Sequence, residues 1–419
     1  MHLWLLLVLL APEPDLAAVV DLPTARERRT VALGLARRED VTLEALLAAM
    51  RRFAPRGAPQ AGTTNETVPL PGAETDITIH VPESYRAGQP AGLILALHGA
   101  GGHGPQEAYR WRAVAEELGY LVVAPTEAGE NRGYGFTPEE RAATLAALRW
   151  ARRHFDVDEN RIHLSGASRG GHLTWDLGLR HPDRWASLSP MIGGPRLEPS
   201  RGHNNLRFLE NVAHVPIRDL QGEADDKRLL FNLHLAFFKL EKLGAKDAQL
   251  VTFPDLGHSY RFEAVEWKAF LGGARREPAP VRVVRLCADA REGRAYWVEI
   301  LKTKRPVKEA VVPQVKAAVW NAMNDGARRR FLAAEAERRT ARLEVEMVEP
   351  GVFLAKSTHV GSFRLLLGAE MFDPARPVSL TWNGRAKKRR LKPSKRVLLR
   401  DFAERFDRTF LPVAEFKVP

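Results

Sequence analysis

Arg161-Ile162-His163-Leu164-Ser165-Gly166-Ala167-Ser168-Arg169-Gly170-Gly171 is the stretch whose reading decides the fold. Residues 161–165 have the character of a short strand that stops at Gly166, and residues 170–180 read as a helix. Between them, Gly166-Ala167-Ser168-Arg169-Gly170 matches G-x-S-x-G. A serine presented for attack must project from a very tight strand-to-helix turn. Side chains two residues before and two after it would collide there, hence Gly166 and Gly170. The pentapeptide alone is a weak signal in a chain of ordinary glycine content, and the strand–turn–helix setting is what makes it specific.

A serine hydroxyl is a poor nucleophile at neutral pH without a base. His258 is the candidate, at the end of Phe253-Pro254-Asp255-Leu256-Gly257-His258. It lies just past a strand pattern, where a loop can carry it over the sheet edge. A third group must fix the imidazole in one tautomer and stabilise its charged form. Asp225, in Gly222-Glu223-Ala224-Asp225, follows the strand pattern of residues 215–221. Asp225 reads alternatively as a helix N-cap, with Asp226 or Glu223 as the acid. Asp255 is nearer His258 in sequence but lies on the wrong strand for the order Ser168, Asp225, His258. The developing oxyanion also needs donors. One is the backbone N–H of Arg169. The other comes from His98-Gly99-Ala100-Gly101-Gly102, at Ala100 or Gly101. That glycine run lacks the Lys and Ser/Thr of a phosphate loop. His103, His172, His203 and His214 show no metal-ligand spacing. Neither a metal nor another cofactor is expected.

Outward from this centre, strand and helix patterns alternate. Strands are expected at 75–81, 93–97, 120–124, 185–192, 215–221 and 249–253. Helices are expected at 106–118 and at 138–155, the latter capped by Thr137, and a last helix at 264–271 closes the unit. Such alternation implies an α/β architecture, a mostly parallel, doubly wound sheet with helices on both faces.

The loop at 98–102, the stretch Asn160 to Gly171 and His181-Pro182-Asp183-Arg184-Trp185 resemble the esterase/peptidase branch of the α/β-hydrolases. That branch holds polyhydroxybutyrate-depolymerase-like and feruloyl-type esterases and the catalytic domains of prolyl-oligopeptidase-like enzymes. The resemblance covers residues 68–271. It implies the α/β-hydrolase fold, the triad and hydrolysis of an acyl bond. Arg169 departs from the branch, where small or amide residues or Met are more usual. Its backbone N–H is unaffected, but its charge is a candidate influence on substrate choice.

At 419 residues, the chain is long enough for two domains. Residues 3–11 are apolar, too short to span a bilayer but of signal-peptide length, so residues 1–18 are expected to be an export signal and the protein exported. Residues 19–61 read as a helical segment and linker, either a pro-segment or a brace, with Asp40 or Thr42 capping its second helix. Residues 62–276 form the expected catalytic domain. Residues 277–419 form a smaller, basic, β-rich C-terminal domain with strands expected at 281–286, 295–301, 343–348, 363–367 and 378–382. Asn383-Gly384 directly after the last is a type I′ hairpin signal. A helix is expected near 327–342.

The net charge is +12, yet residues 278–419 hold 30 Lys and Arg against 16 Asp and Glu, so the whole surplus sits in the last third. Residues 385–400, opening on Arg385 and closing on Arg400, carry nine Lys or Arg. This run reads as a solvated hairpin strand or as a grip on an anionic polymer. It lacks the interleaved aromatics of single-strand binders, and no specific nucleic acid is expected. The sequence therefore describes a serine hydrolase cleaving carboxylic esters through an acyl-enzyme, with a small or polymeric acyl substrate and no transmembrane segment. A serine peptidase is the alternative within the class. A non-catalytic binding protein on the same fold is the alternative outside it.

Overall fold

A computed structural model of the chain describes residues 14–22, 24–53, 60–70, 73–126, 134–197, 204–304, 307 and 315–419. The apolar run at residues 3–11 and His203 lie outside the described residues.

Among the described residues, three helices come first: α1 (Ala17–Asp21), α2 (Ala25–Ala36) and α3 (Leu43–Arg51). Thr24 and Glu27 form a reciprocal capping box on α2, and Thr42 caps α3 by accepting from the Ala45 N–H. The large sheet follows, with β1 (Gly62–Leu70), β2 (Ala73–Val81), β3 (Ala91–Leu97), α4 (Gly104–Leu118), β4 (Leu121–Thr126), α5 (Pro138–His154), β5 (Val157–Ala167), α6 (Arg169–Arg180), β6 (Ser187–Met191), β7 (Ile217–Gly222), α7 (Lys227–Lys242), β8 (Ala248–Phe253) and α8 (Trp267–Gly273). Its eight strands run in the order β1-β2-β4-β3-β5-β6-β7-β8. The β1–β2 and β2–β4 pairs are antiparallel and every other pair is parallel.

Burial explains why β3 is apolar throughout. Leu93, Leu95 and Leu97 pack into a core with α5, α6 and α7, while Ile94 and Ala96 pack on the other face against Trp111 of α4 and Trp267 of α8. A parallel strand covered on both faces has no polar side to show. The sequence places β3, β5, β6, β7 and β8 within a few residues of their observed bounds. It has no counterpart for β1, whose first residues are exposed and polar, part of them within the expected linker.

The remainder contains β9 (Arg282–Cys287), β10 (Arg294–Ala295), β11 (Val298–Thr303), α9 (Ala317–Ala322), α10 (Asp325–Arg338), β12 (Ala341–Glu349), β13 (Val352–Thr358), β14 (Val360–Leu367), β15 (Val378–Trp382), β16 (Arg385–Arg389), α11 (Lys395–Arg405) and β17 (Ala414–Val418). Its strands form two sheets, β10-β11-β14-β17 and β16-β15-β13-β12-β9. Phe363, Leu365 and Phe416 of the first share one core with Leu343, Val345 and Phe353 of the second, so the region is a two-sheet sandwich. Asn383 and Gly384 both have positive φ, 46° and 81°, and join β15 to β16 in register, as a type I′ turn requires.

The basic run at 385–400 is not one strand. It splits into β16 and the first half of α11. Leu398, Leu399 and Phe402 of α11 are buried against Leu16, Val20, Leu35 and Leu46 of the N-terminal helices. Those helices also touch α5, where the Arg149 guanidinium donates to the Val20 carbonyl at 2.8 Å. They brace the body of the molecule.

Candidate active site

The turn from β5 into α6 puts Ser168 at φ 55° and ψ −111°, a conformation an L-residue adopts only when the surroundings enforce it. A Cβ on Gly166 would stand 2.5 Å from the Gly170 carbonyl oxygen, and one on Gly170 would stand 2.2 Å from that of Leu97. Neither distance is tolerable, so both positions exclude any side chain. The turn is further tied by the Ser168 N–H donating to the Met191 carbonyl at 2.8 Å.

Ser168 Oγ lies 2.8 Å from His258 Nε2. On the other side of the ring, His258 Nδ1 lies 2.8 Å from Asp225 Oδ2. A carboxylate only accepts, so Nδ1 carries the proton and Nε2 is left to accept from the serine. Burial pushes the Asp225 carboxyl up. Donation from the Asp226 N–H, His258 and the Gln221 amide outweighs this and holds it below the usual carboxylate range. Asp226, the alternative acid, instead accepts from the Arg228 and Leu229 N–H groups as N-cap of α7. Glu223 is exposed, and Asp255 pairs with Arg261 at 2.6 Å.

The loop after β3 passes beside the serine: a Cβ on Gly99 would meet the Ala167 carbonyl oxygen at 3.4 Å and Ser168 Cβ at 3.6 Å. The Gly102 N–H donates to the Gly99 carbonyl at 3.0 Å, and Gly101 sits at φ 72°, the left-handed position of a type II turn. His98 is buried and its Nδ1–H donates to the Gly99 carbonyl at 2.7 Å. Arg169 is the first residue of α6, so its N–H is one of the helix's four without an intrahelical acceptor. Ala100, Gly101, Ala167, Ile192 and Tyr260 are among the residues lining a cleft of about 610 Å³ at this mouth. Ile192 has φ 44°, a strained value for a β-branched residue at the edge of a cleft.

The topology, the strained serine and the two imidazole contacts settle the fold. The chain has the α/β-hydrolase fold. No family model matches it. Curated relatives include a poly(3-hydroxyalkanoate) depolymerase C of Paucimonas lemoignei, 26% identical over 132 residues, covering 28% of this chain and 30% of the relative. A feruloyl esterase C of Aspergillus flavus is 22% identical over 183 residues, covering 41% and 67%. A bifunctional acetylxylan esterase/xylanase of Neocallimastix patriciarum is 25% identical over 173 residues, covering 39% and 23%. The chain thus spans under a third of the depolymerase and the acetylxylan esterase/xylanase, and two thirds of the feruloyl esterase. Among solved structures, a thermostable esterase aligns with a TM-score of 0.43 at 23% identity, covering 51% of this chain and 63% of its own.

Within this α/β-hydrolase fold, the Arg169 side chain turns into the protein. It is buried, and its guanidinium pairs with Glu140 at 3.0 Å. Glu140 is also the N3 partner of Thr137 in the capping box of α5. One carboxylate therefore ties the residue after the serine to the start of α5. This corrects the expectation that the Arg169 charge influences substrate choice. Sequence shows Glu140 only as a first-turn acid. Likewise, Asp176 of α6 is fully buried and accepts from Arg141, Arg180, Asn205 and Tyr134, which clamps the helix that carries the nucleophile turn. Among the described residues, no group of His, Cys, Asp or Glu is arranged to hold a metal.

Proposed function

We propose that this protein is a serine hydrolase that cleaves carboxylic ester bonds through a Ser168 acyl-enzyme, with His258 as general base and acid and Asp225 as its orienting carboxylate. The observation that carries the reading is the pair of 2.8 Å contacts on opposite edges of the His258 ring. In the first step the Ser168 hydroxyl proton passes to His258 Nε2 as Oγ bonds to the acyl carbon. The charge moves onto the carbonyl oxygen, toward the Arg169 N–H and the loop donor at Ala100 or Gly101. His258 then returns the proton to the leaving alcohol. Water repeats the sequence against the acyl-enzyme and frees Ser168.

Esters are favoured over peptides because the curated relatives are named as esterases and depolymerases. Those names support an acyl substrate, small or polymeric. The same proposal includes export, which rests on the apolar run at residues 3–11. Among the described residues no helix is long and apolar enough to cross a membrane. An anionic-polymer role of residues 385–400 would rest on the basic residues other than Lys395, Arg400 and Arg389, which are engaged within the chain. Lys395 donates to the Arg38 and Val41 carbonyls, Arg400 pairs with Glu415, and Arg389 bonds the Lys417 carbonyl.

The test is hydrolysis of p-nitrophenyl acetate and a matched p-nitroanilide by the purified chain. Ester turnover that disappears in Ser168→Ala supports the reading. Turnover of the anilide alone would turn it toward a peptidase, and a folded chain that turns over neither and takes up no fluorophosphonate would leave the binding-protein alternative.

A further inference from the structure

Gln221 is wholly buried near the end of β7, one residue before the strand gives way to the Asp225 turn. Its Nε2 donates to Asp225 Oδ2 at 2.8 Å, the same oxygen that accepts from His258 Nδ1. The second Asp225 oxygen is held by the Asp226 N–H at 2.7 Å. The carboxylate is therefore fixed at both oxygens, and among the described residues Gln221 provides the side-chain donor besides the histidine. The Gln221 amide is itself held by its second contact, from Nε2 to the Gly222 carbonyl at 3.0 Å.

We propose, on the reading of Ser168, His258 and Asp225 given above, that Gln221 is a positioning residue. Its amide fixes the Asp225 carboxylate and shares its charge, and so sets how strongly Asp225 favours the protonated form of His258. Packing alone gives no reason for a primary amide at this wholly buried position of β7. Leu or Met would fill the same space without desolvating two polar atoms.

Asp219 lies two residues earlier on the same face of β7 and is wholly buried, its Oδ2 accepting from the Trp175 indole at 2.7 Å, so β7 carries two buried polar side chains, each held by a hydrogen bond.

The experiment uses the full chain and the p-nitrophenyl ester it turns over. Among the described residues, His172 and Asp225 lie close enough to act on the His258 charge, and both remain in place. Gln221→Met removes the donor but keeps the volume. Asp225 then keeps more of its negative charge for the imidazole, and charged His258 is favoured to higher pH. We expect kcat to fall about 10- to 100-fold, as for a lost hydrogen bond to a charged group. KM should stay within twofold and the acid-side midpoint of kcat/KM should move up. An acid-side midpoint that stays put or moves down overturns the proposal, whatever happens to kcat. Gln221→Glu, of the same shape, serves if the first variant does not fold. Protonated, it donates as the amide does; ionised, it repels Asp225. Its activity should fall as pH rises above neutrality where the native rate is level, and a native-like profile would overturn the role. A native chain that hydrolyses no ester and labels no Ser168 overturns the active-site reading together with this one. A native chain that does both, beside a Gln221→Met variant with an unmoved midpoint, overturns this inference alone.

Discussion

Asp225 and Asp226 are chain neighbours whose carboxylates face different partners. Asp225 Oδ2 lies 2.8 Å from His258 Nδ1, whereas Asp226 Oδ1 accepts from the Arg228 and Leu229 N–H groups at 2.8 and 3.0 Å. The geometry separates orienting a base from capping a helix, a choice that adjacent identical residues leave open in sequence.

The two positions therefore respond differently to substitution. Asp225→Asn leaves His258 free to adopt the wrong tautomer and is expected to lower kcat on the order of 10⁴-fold. Asp226→Ala removes an N-cap and is expected to cost about 1 kcal/mol of stability with kcat within a fewfold of native. Steady-state kinetics and urea unfolding of both variants check this. A crippled Asp226→Ala beside an active Asp225→Asn reverses the assignment.

Stability should fall when the protein is acidified from neutral pH, before most carboxylates titrate. Burial lowers His163 to about 3 and His214 to about 4. Both are neutral in the folded chain and protonate near 6.5 once unfolded. Between those values the unfolded state binds more protons, so stability rises with pH there and is lost on acidification. At pH 5 each histidine should account for about 2 kcal/mol relative to pH 8. His163 Nδ1 lies 2.8 Å from Ser187 Oγ, a contact Asn can keep. The fall in Tm from pH 8 to pH 5 should be shallower in His163→Asn. An unchanged slope would show that this histidine does not drive it.

A chain ending at Arg276 should not fold. Sequence treats the catalytic segment as separable, but the polar contacts between the two parts are buried. Arg276 pairs with Asp407 at 2.7 Å, Arg408 pairs with Glu159 at 2.8 Å, and Arg405 pairs with Asp183. Truncation leaves Arg276, Glu159 and Asp183 behind without these partners. Removing one partner of a buried pair costs about 3–5 kcal/mol, so losing three exceeds a typical total of about 5–15 kcal/mol at its lower end and nears its upper end. Circular dichroism of the truncated chain checks this. A folded, ester-cleaving fragment would contradict it.

The parts of the fold written locally are the ones the sequence discloses. The serine turn needs its glycines at fixed offsets, Thr137-Pro138-Glu139-Glu140 announces the start of α5, and Asn383-Gly384 announces its hairpin. The elements it hides take their identity from distant partners. β16 is Arg-Ala-Lys-Lys-Arg, a strand with no apolar alternation, paired among the described residues with β15 alone. The helix α11 reads as charge until the N-terminal helices cover Leu398 and Phe402. Gln221 and Glu140 follow the same rule. Each is one polar residue in an ordinary local pattern, and only the fold brings it to Asp225 or Arg169.

The central claim is that Ser168 is the nucleophile, and active-site labelling measures it directly. The native protein is treated with a fluorophosphonate, digested and sequenced by mass spectrometry, alongside Ser168→Ala and His258→Ala. The account predicts one adduct, on Ser168, absent from Ser168→Ala and far slower to form in His258→Ala, with ester turnover in Ser168→Ala lower on the order of 10⁶-fold. A folded native protein labelled at another residue, or a folded Ser168→Ala that still hydrolyses ester at an appreciable rate, would contradict it.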